Sequence, residues 1–190
     1  MQRIFSSILL GLLASCAGAF PQFQTFSEEN SGRPVNCGMC HTNPEGPSGS
    51  GPHQMGSLTP QEMERVNLSR AALEPGQEID SPILNAFGNH IIKVVGAKKV
   101  FDAQSNPAGL ATALGNTGDL DGDGIADAQE FLDGTDPLDR AHGDPGKLLL
   151  INLRRNGGQV AFIVVVIGLI LLGLTGVLKT MRNSEGDTPA

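Results

Sequence analysis

The chain has 190 residues, with 25 glycines, 12 prolines, no tryptophan or tyrosine, and a formal net charge of −7. Its length allows one folded unit and little more, because domains commonly take about 100 to 200 residues. The negative charge argues against a nucleic-acid-binding protein. Two apolar terminal segments leave room for one exported module rather than an ordinary soluble enzyme. The glycine-rich middle is poor in apolar residues, and small cores of this kind usually need a cofactor, metal or disulfide.

The N-terminus has the order of a secretory signal peptide, with a positive start, an apolar run from Ile8 to Leu13, and small residues after it. Ala17-Gly18-Ala19 predicts cleavage before Phe20. Leu13-Ala14-Ser15-Cys16 instead resembles a bacterial lipobox, which would be cut before Cys16 with lipid attached to that residue. Both interpretations stay open, so Cys16 is either a lipid anchor or part of a discarded peptide.

Cys37-Gly38-Met39-Cys40-His41 is a C-x-x-C-H motif, the attachment signature of c-type haem. The spacing suits this chemistry, because two thiols add to the two vinyl groups of one porphyrin while the adjoining imidazole reaches the iron. Cys37 and Cys40 are therefore the predicted attachment sites of haem c, and His41 is the predicted axial ligand. An exported chain is where such attachment takes place.

Two other interpretations of the cysteine pair remain. A redox disulfide between Cys37 and Cys40 is typical of a βαβ pattern, which this sequence lacks. Zinc would need four ligands, so histidines would have to complete a tetrahedron around the two thiols.

Two helices are predicted after a segment rich in glycine and proline, residues 43–60, in which we expect no regular element. Thr59-Pro60-Gln61-Glu62 begins the first helix with a capping box, and Pro75-Gly76 ends it. The second helix is predicted from Ser81 to Gly96. Its apolar face is expected to carry Ile83, Phe87, His90 and Val94.

His90 is the predicted sixth ligand of the haem iron, because one helix would then supply both an apolar wall and an imidazole. A histidine on an apolar face is more often a satisfied core residue, so rivals stay open. They are His53, Met55, Met63 and His142. Met39 is excluded because it lies inside the attachment motif itself.

Residues 119–130 fit the twelve-position calcium pattern D-x-D-x-D-G-x5-E. The expected Ca²⁺ ligands are Asp119, Asp121, Asp123, the Ile125 carbonyl, Asp127 and Glu130. Gly124 permits the sharp turn at position 6. The flanks differ from those of an EF-hand, since Gly134-Thr135-Asp136-Pro137 stops the exit helix after about one turn. We therefore expect a structural calcium clamp rather than a sensor.

Residues 159–178 form the predicted transmembrane helix. The sequence carries no charge from Asn156 through Leu178, a length that can cross about 30 Å of hydrocarbon. Arg154, Arg155 and Lys179 mark the interfaces. The cations before the helix slightly oppose the positive-inside rule, but we expect the N-terminal signal to place the preceding domain outside the cytoplasm.

The order of motifs resembles small exported c-type cytochrome modules with an appended calcium repeat. The block 119–137 is similar to a bacterial thrombospondin type 3 repeat. His-x-Asn-Pro-x-Gly at residues 41–46 and Asn-x-Phe-Gly at residues 85–88 also resemble the temptin-like pattern. The resemblance covers about residues 33–137 and implies electron transfer, with Cys37 and Cys40 holding haem. It identifies no sixth ligand.

The sequence predicts a mostly α fold, with a small loop-rich haem domain of short helices, a calcium-binding loop and one C-terminal transmembrane helix. The expected segments are a signal peptide (1–19, or 1–15 in a lipoprotein), a haem c domain (20–115), a calcium loop (116–140), a juxtamembrane linker (141–158), the transmembrane helix (159–178) and a cytoplasmic tail (179–190).

The expected function is electron transfer on the periplasmic side of a bacterial inner membrane, as a subunit of a respiratory or photosynthetic complex. A membrane-bound redox complex or a soluble cytochrome would be the partner. We expect no enzymatic activity and no small-molecule substrate, because no nucleophile is paired with a base. Two alternatives are a calcium-clamped structural subunit and an open-site haem that binds a small gas.

Overall fold

The computed structural model describes residues 20–116 and 118–185, so the predicted signal peptide with Cys16 lies outside the described residues. The described chain is mostly helical, as predicted, and contains no strand; a single bridge joins His41 and Leu84. The α-helices are α1 (Pro21–Ser31), α2 (Pro60–Ala71), α3 (Ala86–Val95), α4 (Ala97–Ala103), α5 (Ala108–Leu114), α6 (Asp127–Asp133), α7 (Pro145–Arg155) and α8 (Gly157–Glu185). Short 3₁₀ turns span Cys37–Met39 and Met55–Ser57.

The predicted capping box of α2 is confirmed. The Thr59 side chain accepts from the backbone N–H of Glu62, and the Glu62 carboxylate accepts from the backbone N–H of Thr59. The start of α3 was predicted at Ser81, whereas the helix begins at Ala86 with Asn85 as its cap. Asn85 Oδ1 accepts from the N–H of Gly88 at 2.9 Å, which satisfies a donor that the first helical turn would otherwise leave unpaired.

The core lies among α1, α3, α5 and α6. Its largest fully buried apolar side chains are Phe87, Leu110 and Phe131. In the absence of tryptophan and tyrosine, phenylalanine rings pack edge to face, with ring centroids 6.5 Å apart for Phe23 and Phe131. The buried stripe of α3 is Phe87, Ile91 and Val95, at helical spacing i, i+4, i+8.

Two compact units divide the chain, one ending at Asp144 and the other beginning at Pro145. The predicted calcium loop therefore belongs to the same unit as the Cys-x-x-Cys-His motif. In the second unit, α7 occupies much of the segment 141–158, for which the sequence predicts a juxtamembrane linker.

Among the described residues, one helix, Gly157–Arg182, is long and apolar enough to cross a membrane. Its 26 residues span about 39 Å at 1.5 Å per residue, more than the ~30 Å of a hydrocarbon core. Its side chains are exposed, in contrast to those of a core helix. The predicted transmembrane segment 159–178 lies within it.

Candidate functional site

A cavity of about 440 Å³ lies in the first unit and contains the whole predicted haem-binding triplet in its lining. This volume is within the range of about 300 to 1,000 Å³ that is usual for ligand sites. Most of the wall is apolar. The lining residues are Phe20, Pro21, Phe23, Gln24, Cys37, Cys40, His41, Val66, Ser69, Arg70, Ser81, Ile83, Leu84, Ile91, Ile92, Ala97, Val100, Phe101 and Leu110.

The attachment motif begins as a 3₁₀ turn over Cys37–Met39, whose cap is Asn36. Both cysteines are free thiols rather than a disulfide. The Cys37 thiol lies 3.4 Å from Oε1 of Gln24 on α1, to which it donates. The turn thus places both sulfur atoms at one cavity without joining them.

The imidazole of His41 has a defined tautomer. Its Nδ1 lies 3.0 Å from the carbonyl oxygen of Ile83, which can only accept, so Nδ1 carries the proton. Nε2 is then the nitrogen with a free lone pair, the form required of a metal ligand. Burial lowers the pKa of His41, against a smaller opposing effect of the Ile83 carbonyl, and this favours the neutral ring.

The Cys40 thiol stays protonated at neutral pH. Burial raises its pKa to about 12, and Cys37 and Asp136 add smaller effects in the same direction. Without a bound group, this cysteine is therefore a neutral thiol of the cavity wall.

The N-terminus of α3 holds the attachment turn in place. The Asn85 side-chain amide donates to the carbonyls of Gly38 and Met39 at 2.7 and 3.0 Å, and its backbone N–H donates to the carbonyl of Cys40 at 3.1 Å. Gly88, one turn later, leaves room for the same carbonyl, because a Cβ at this position would lie 2.1 Å from the Cys40 oxygen. The Asn-x-Phe-Gly motif thus has a structural role that its sequence alone did not reveal.

The structure does not bring His90 to the cavity. Its Nε2 lies 3.8 Å from Oδ2 of Asp127 in the acidic loop, and the residue is absent from the cavity lining. The sequence placed His90 on the apolar face of α3, but the buried stripe runs through Ile91, one residue further on. A step of one residue rotates the side chain by about 100° around the helix, so His90 faces the acidic loop.

The rival ligands do not line the cavity either. His53 is exposed and has a left-handed backbone, with φ of 59°. Met63 is partly buried on α2, and His142 accepts from the backbone N–H of Asp136. Met55 lies closer to the cavity, since its Sδ is 4.0 Å from Nη2 of the lining residue Arg70. His41 is therefore the only imidazole, and no methionine is present, among the described lining residues.

Three aspartates of the acidic loop lie close enough together to hold a metal ion. Asp119, Asp121 and Asp123 each place a carboxylate oxygen within 4.8 Å of the others. The turn at Gly124 has φ of 102°, a conformation that favours glycine. Backbone N–H groups donate to one oxygen of Asp121, to one oxygen of Asp123 and to both oxygens of Asp119; Ile125 N, for example, lies 2.6 Å from Asp123 Oδ1.

Four carboxylates of this loop each keep a buried oxygen with no hydrogen-bond partner among the described residues. They are Asp121, Asp123, Asp127 and Glu130. A buried, unpaired carboxylate oxygen is costly, and such groups are normally paired or bound to a metal. The four residues are among the six ligands that the calcium pattern predicts, so the orphaned oxygens fit the donor set of a hard divalent cation.

The raised pKa values of the loop carboxyl groups also fit a site for a cation. Burial raises the pKa of Glu130 from its ordinary 4.5 to about 8, and the charges of Asp121 and Asp123 add to this shift. Burial also raises the pKa values of Asp121 and Asp127. Without a cation, Glu130 therefore holds a proton at neutral pH, while a bound cation would favour the ionised carboxylate.

The acidic loop and the attachment turn are joined through packed elements. The residues after α6, Gly134 to Asp136, line a second cavity of about 180 Å³ together with Gly38 and Met39 of the turn. The Ser27 hydroxyl of α1 donates to the carbonyl of Phe131 on α6 at 2.6 Å. The two predicted sites thus belong to one packed unit.

Comparison with protein-family models, with curated proteins and with solved structures finds no match for this chain.

Replacement of Gly88 by alanine is expected to displace the attachment turn, because the new methyl group would overlap the Cys40 carbonyl oxygen. We expect a loss of about 1 to 3 kcal/mol in the free energy of unfolding, typical of overpacking. Thermal denaturation monitored by circular dichroism measures this loss.

Gly109→Ala on α5 is the matched control. A Cβ there would meet only Asn106 Nδ2, at 3.9 Å, so alanine should be neutral or stabilising by up to about 1 kcal/mol. Equal stability of Gly88→Ala and the unmodified protein would show that the turn does not depend on this close contact.

Proposed function

We propose that this chain is a membrane-tethered electron-transfer protein with one covalently attached c-type haem. The observation that carries the proposal is the cavity of about 440 Å³ in whose lining Cys37, Cys40 and His41 meet amid apolar side chains. Haem bound there would supply one reversible electron. The residues of this chain would attach it, bind the iron and exclude water.

The residues fit such a group in three respects. Two free thiols lie beside one cavity, which suits two thioether links. The neutral imidazole of His41 keeps Nε2 unprotonated because Ile83 accepts the proton of Nδ1. The remaining wall includes Ile91 and Phe101, which would cover the porphyrin faces with hydrocarbon.

Calcium is the second proposed cofactor, bound by the orphaned carboxylates of residues 119–130. The ion would neutralise mutual repulsion and fix the position of α6, whose neighbour α1 forms one wall of the cavity. The resulting clamp is structural. The helix Gly157–Arg182 would anchor the chain in a bacterial inner membrane, and the predicted N-terminal signal would place the cofactor-bearing unit on the periplasmic side.

A second candidate function is the binding of a small gas at an open haem site. One observation favours it: the described lining offers no imidazole or thioether besides His41. An iron held by a single protein ligand leaves a coordination position for an exogenous molecule.

Covalent haem is the first expected outcome. The protein made with competent haem-attachment machinery should stain for haem after denaturing electrophoresis, and Cys40→Ala should abolish or strongly reduce the stain because one thioether is lost. Met39→Leu serves as control, since it changes the same turn without removing a thiol. A colourless unmodified protein would disprove the proposal.

The spectrum of the haem protein should not depend on His90, because its imidazole faces Asp127 at 3.8 Å rather than the cavity. His90→Ala and the unmodified protein are expected to share one absorption spectrum and one response to carbon monoxide. High-spin signals in His90→Ala that are absent from the unmodified protein would instead identify His90 as a ligand of the iron.

The same measurement separates the two functions. Carbon monoxide binding by the unmodified protein would favour the gas site, whereas a six-coordinate spectrum would favour electron transfer with a ligand from residues 53–63. Met55→Ala is the informative variant in the second case, because Met55 contacts the lining residue Arg70.

Calcium should change the pH dependence of stability. In chelator, the native state holds the Glu130 proton up to about pH 8 while the unfolded chain loses it near 4.5, so stability should fall as the pH rises between these values. Millimolar calcium should remove this fall, because it binds only the ionised native loop. Melting temperatures from pH 5 to 9, with and without calcium, measure both effects.

Glu130→Gln should abolish the fall in chelator and weaken calcium binding by about tenfold or more, since glutamine cannot bind the ion as a bidentate carboxylate. Glu64→Gln makes the same chemical change at an exposed position of α2 and should behave like the unmodified protein. Melting that is identical in chelator and calcium at every pH would contradict the proposed calcium site.

A further inference from the structure

Ser81 is a buried polar residue of the cavity wall whose hydroxyl has no partner among the described residues. The residue is 2% exposed, and its Oγ makes no hydrogen bond although it lies in the lining. Its backbone is held on both sides by Asn89, which accepts from Ser81 N at 2.8 Å and donates to Ser81 O at 3.3 Å. The backbone of Ser81 is therefore fixed, and its hydroxyl is a buried polar group of a lining residue that no described residue satisfies.

The other neutral polar side chains of the lining are already satisfied. Ser69 donates its hydroxyl to the carbonyl of Val66 at 2.7 Å, and Gln24 donates its amide to the carbonyl of Val35 at 2.7 Å. Ser81 and Ser69 carry the same hydroxyl group, but only that of Ser69 has a hydrogen-bond partner among the described residues.

Arg70 brings a positive charge to the same cavity. Its Nη2 lies 4.0 Å from the thioether of Met55, a weak acceptor, and no carboxylate pairs with it among the described residues. The guanidinium therefore keeps donors for an anionic group of a bound ligand.

The cation and the hydroxyl belong to residues that line the same cavity. Arg65, on the same helix as Arg70, donates to the carbonyl of Asp80 at 2.9 Å and pairs with its carboxylate. Asp80 directly precedes Ser81, so this contact ties the Ser81 segment to α2. The Cys37 thiol instead contacts Gln24 of α1. The thiols, the hydroxyl and the guanidinium thus belong to residues of one cavity wall.

We propose that Ser81 and Arg70 bind the propionate carboxylates of the haem. This proposal rests on the proposed function and adds the orientation of the haem in the cavity. Haem carries its two vinyl groups and its two propionates on different edges, so thioether links at the cysteines leave the propionates for the hydroxyl and guanidinium. Both contacts would be charge-assisted hydrogen bonds, which are stronger than those between neutral groups.

The experiment uses the full haem-loaded chain in detergent and compares Ser81→Ala and Arg70→Gln with the unmodified protein. Resonance Raman bands of propionate bending report the hydrogen bonds, and redox titration over pH reports the nearby charge. We expect both variants to shift these bands. Arg70→Gln should also lower the reduction potential, because a nearby positive charge favours the reduced haem, and Ser81→Ala should raise the pH at which a propionate titrates.

Two controls match these variants. Ser69→Ala removes a hydroxyl of the same lining that already bonds Val66, and Lys99→Gln removes one positive charge from an exposed position of α4. Both should leave the propionate bands unchanged. If Ser81→Ala does not fold, the isosteric pair Ser81→Thr and Ser81→Val isolates the hydroxyl, and only the threonine variant should keep the bands of the unmodified protein.

The outcomes separate this inference from the function on which it rests. Haem-stained variants whose bands and potentials match the unmodified protein would overturn the propionate assignment and leave the haem proposal intact. A shift in Arg70→Gln alone would overturn the role of Ser81. An unmodified protein without haem would overturn both.

Discussion

The contact between the attachment turn and the N-terminus of α3 is the interaction on which the cavity depends. Asn85 binds three successive carbonyl groups of the turn, two through its side-chain amide and one through its own backbone N–H. Its remaining side-chain oxygen caps α3 through Gly88. One residue thereby satisfies polar groups in two elements distant in sequence, and these groups would be costly to bury unpaired.

Helix α1 links this arrangement to the acidic loop. Gln24 on one side of α1 contacts the Cys37 thiol, and Ser27 bonds the Phe131 carbonyl of α6. Glycine is needed where the chain turns after α6, because Gly134 has a φ of 64° and a Cβ there would lie 2.4 Å from the Ser31 hydroxyl. Neutralisation of the loop by a cation would therefore act on a wall of the cavity through two helices in direct contact.

The apolar side chains of the two units have different surroundings. In the first unit, buried rings and aliphatic side chains such as Phe87 and Leu110 form a small core, while an apolar cavity remains beside it. In the second unit, the side chains of α8 are exposed, which suits a hydrocarbon environment. Water in the cavity would lack hydrogen-bond partners, because most of the cavity wall is apolar. Occupation by a flat, largely apolar cofactor would complete the packing.

The amino-acid sequence alone determined the features that depend on near neighbours. The capping box at Thr59, the turn glycine at position 124 and the long apolar helix follow from local hydrogen bonds, backbone freedom and composition, and each is present in the structure. The motifs at residues 37–41 and 119–130 can likewise be recognised from the sequence, because each is a set of side chains at fixed local spacing. Neither motif specifies what packs around it.

Only the tertiary structure decided which side chains meet at the cavity. Periodicity placed His90 on the apolar face of α3, but burial of Phe87, Ile91 and Val95 leaves the edge with His90 toward Asp127. Ser81 lies 40 residues after His41 in the sequence, and no local pattern distinguishes its unpaired hydroxyl from the satisfied one of Ser69. Hydrogen bonding and burial of this kind depend on contacts between distant segments, and a one-residue rotation of a helix changes them without altering the hydrophobic pattern.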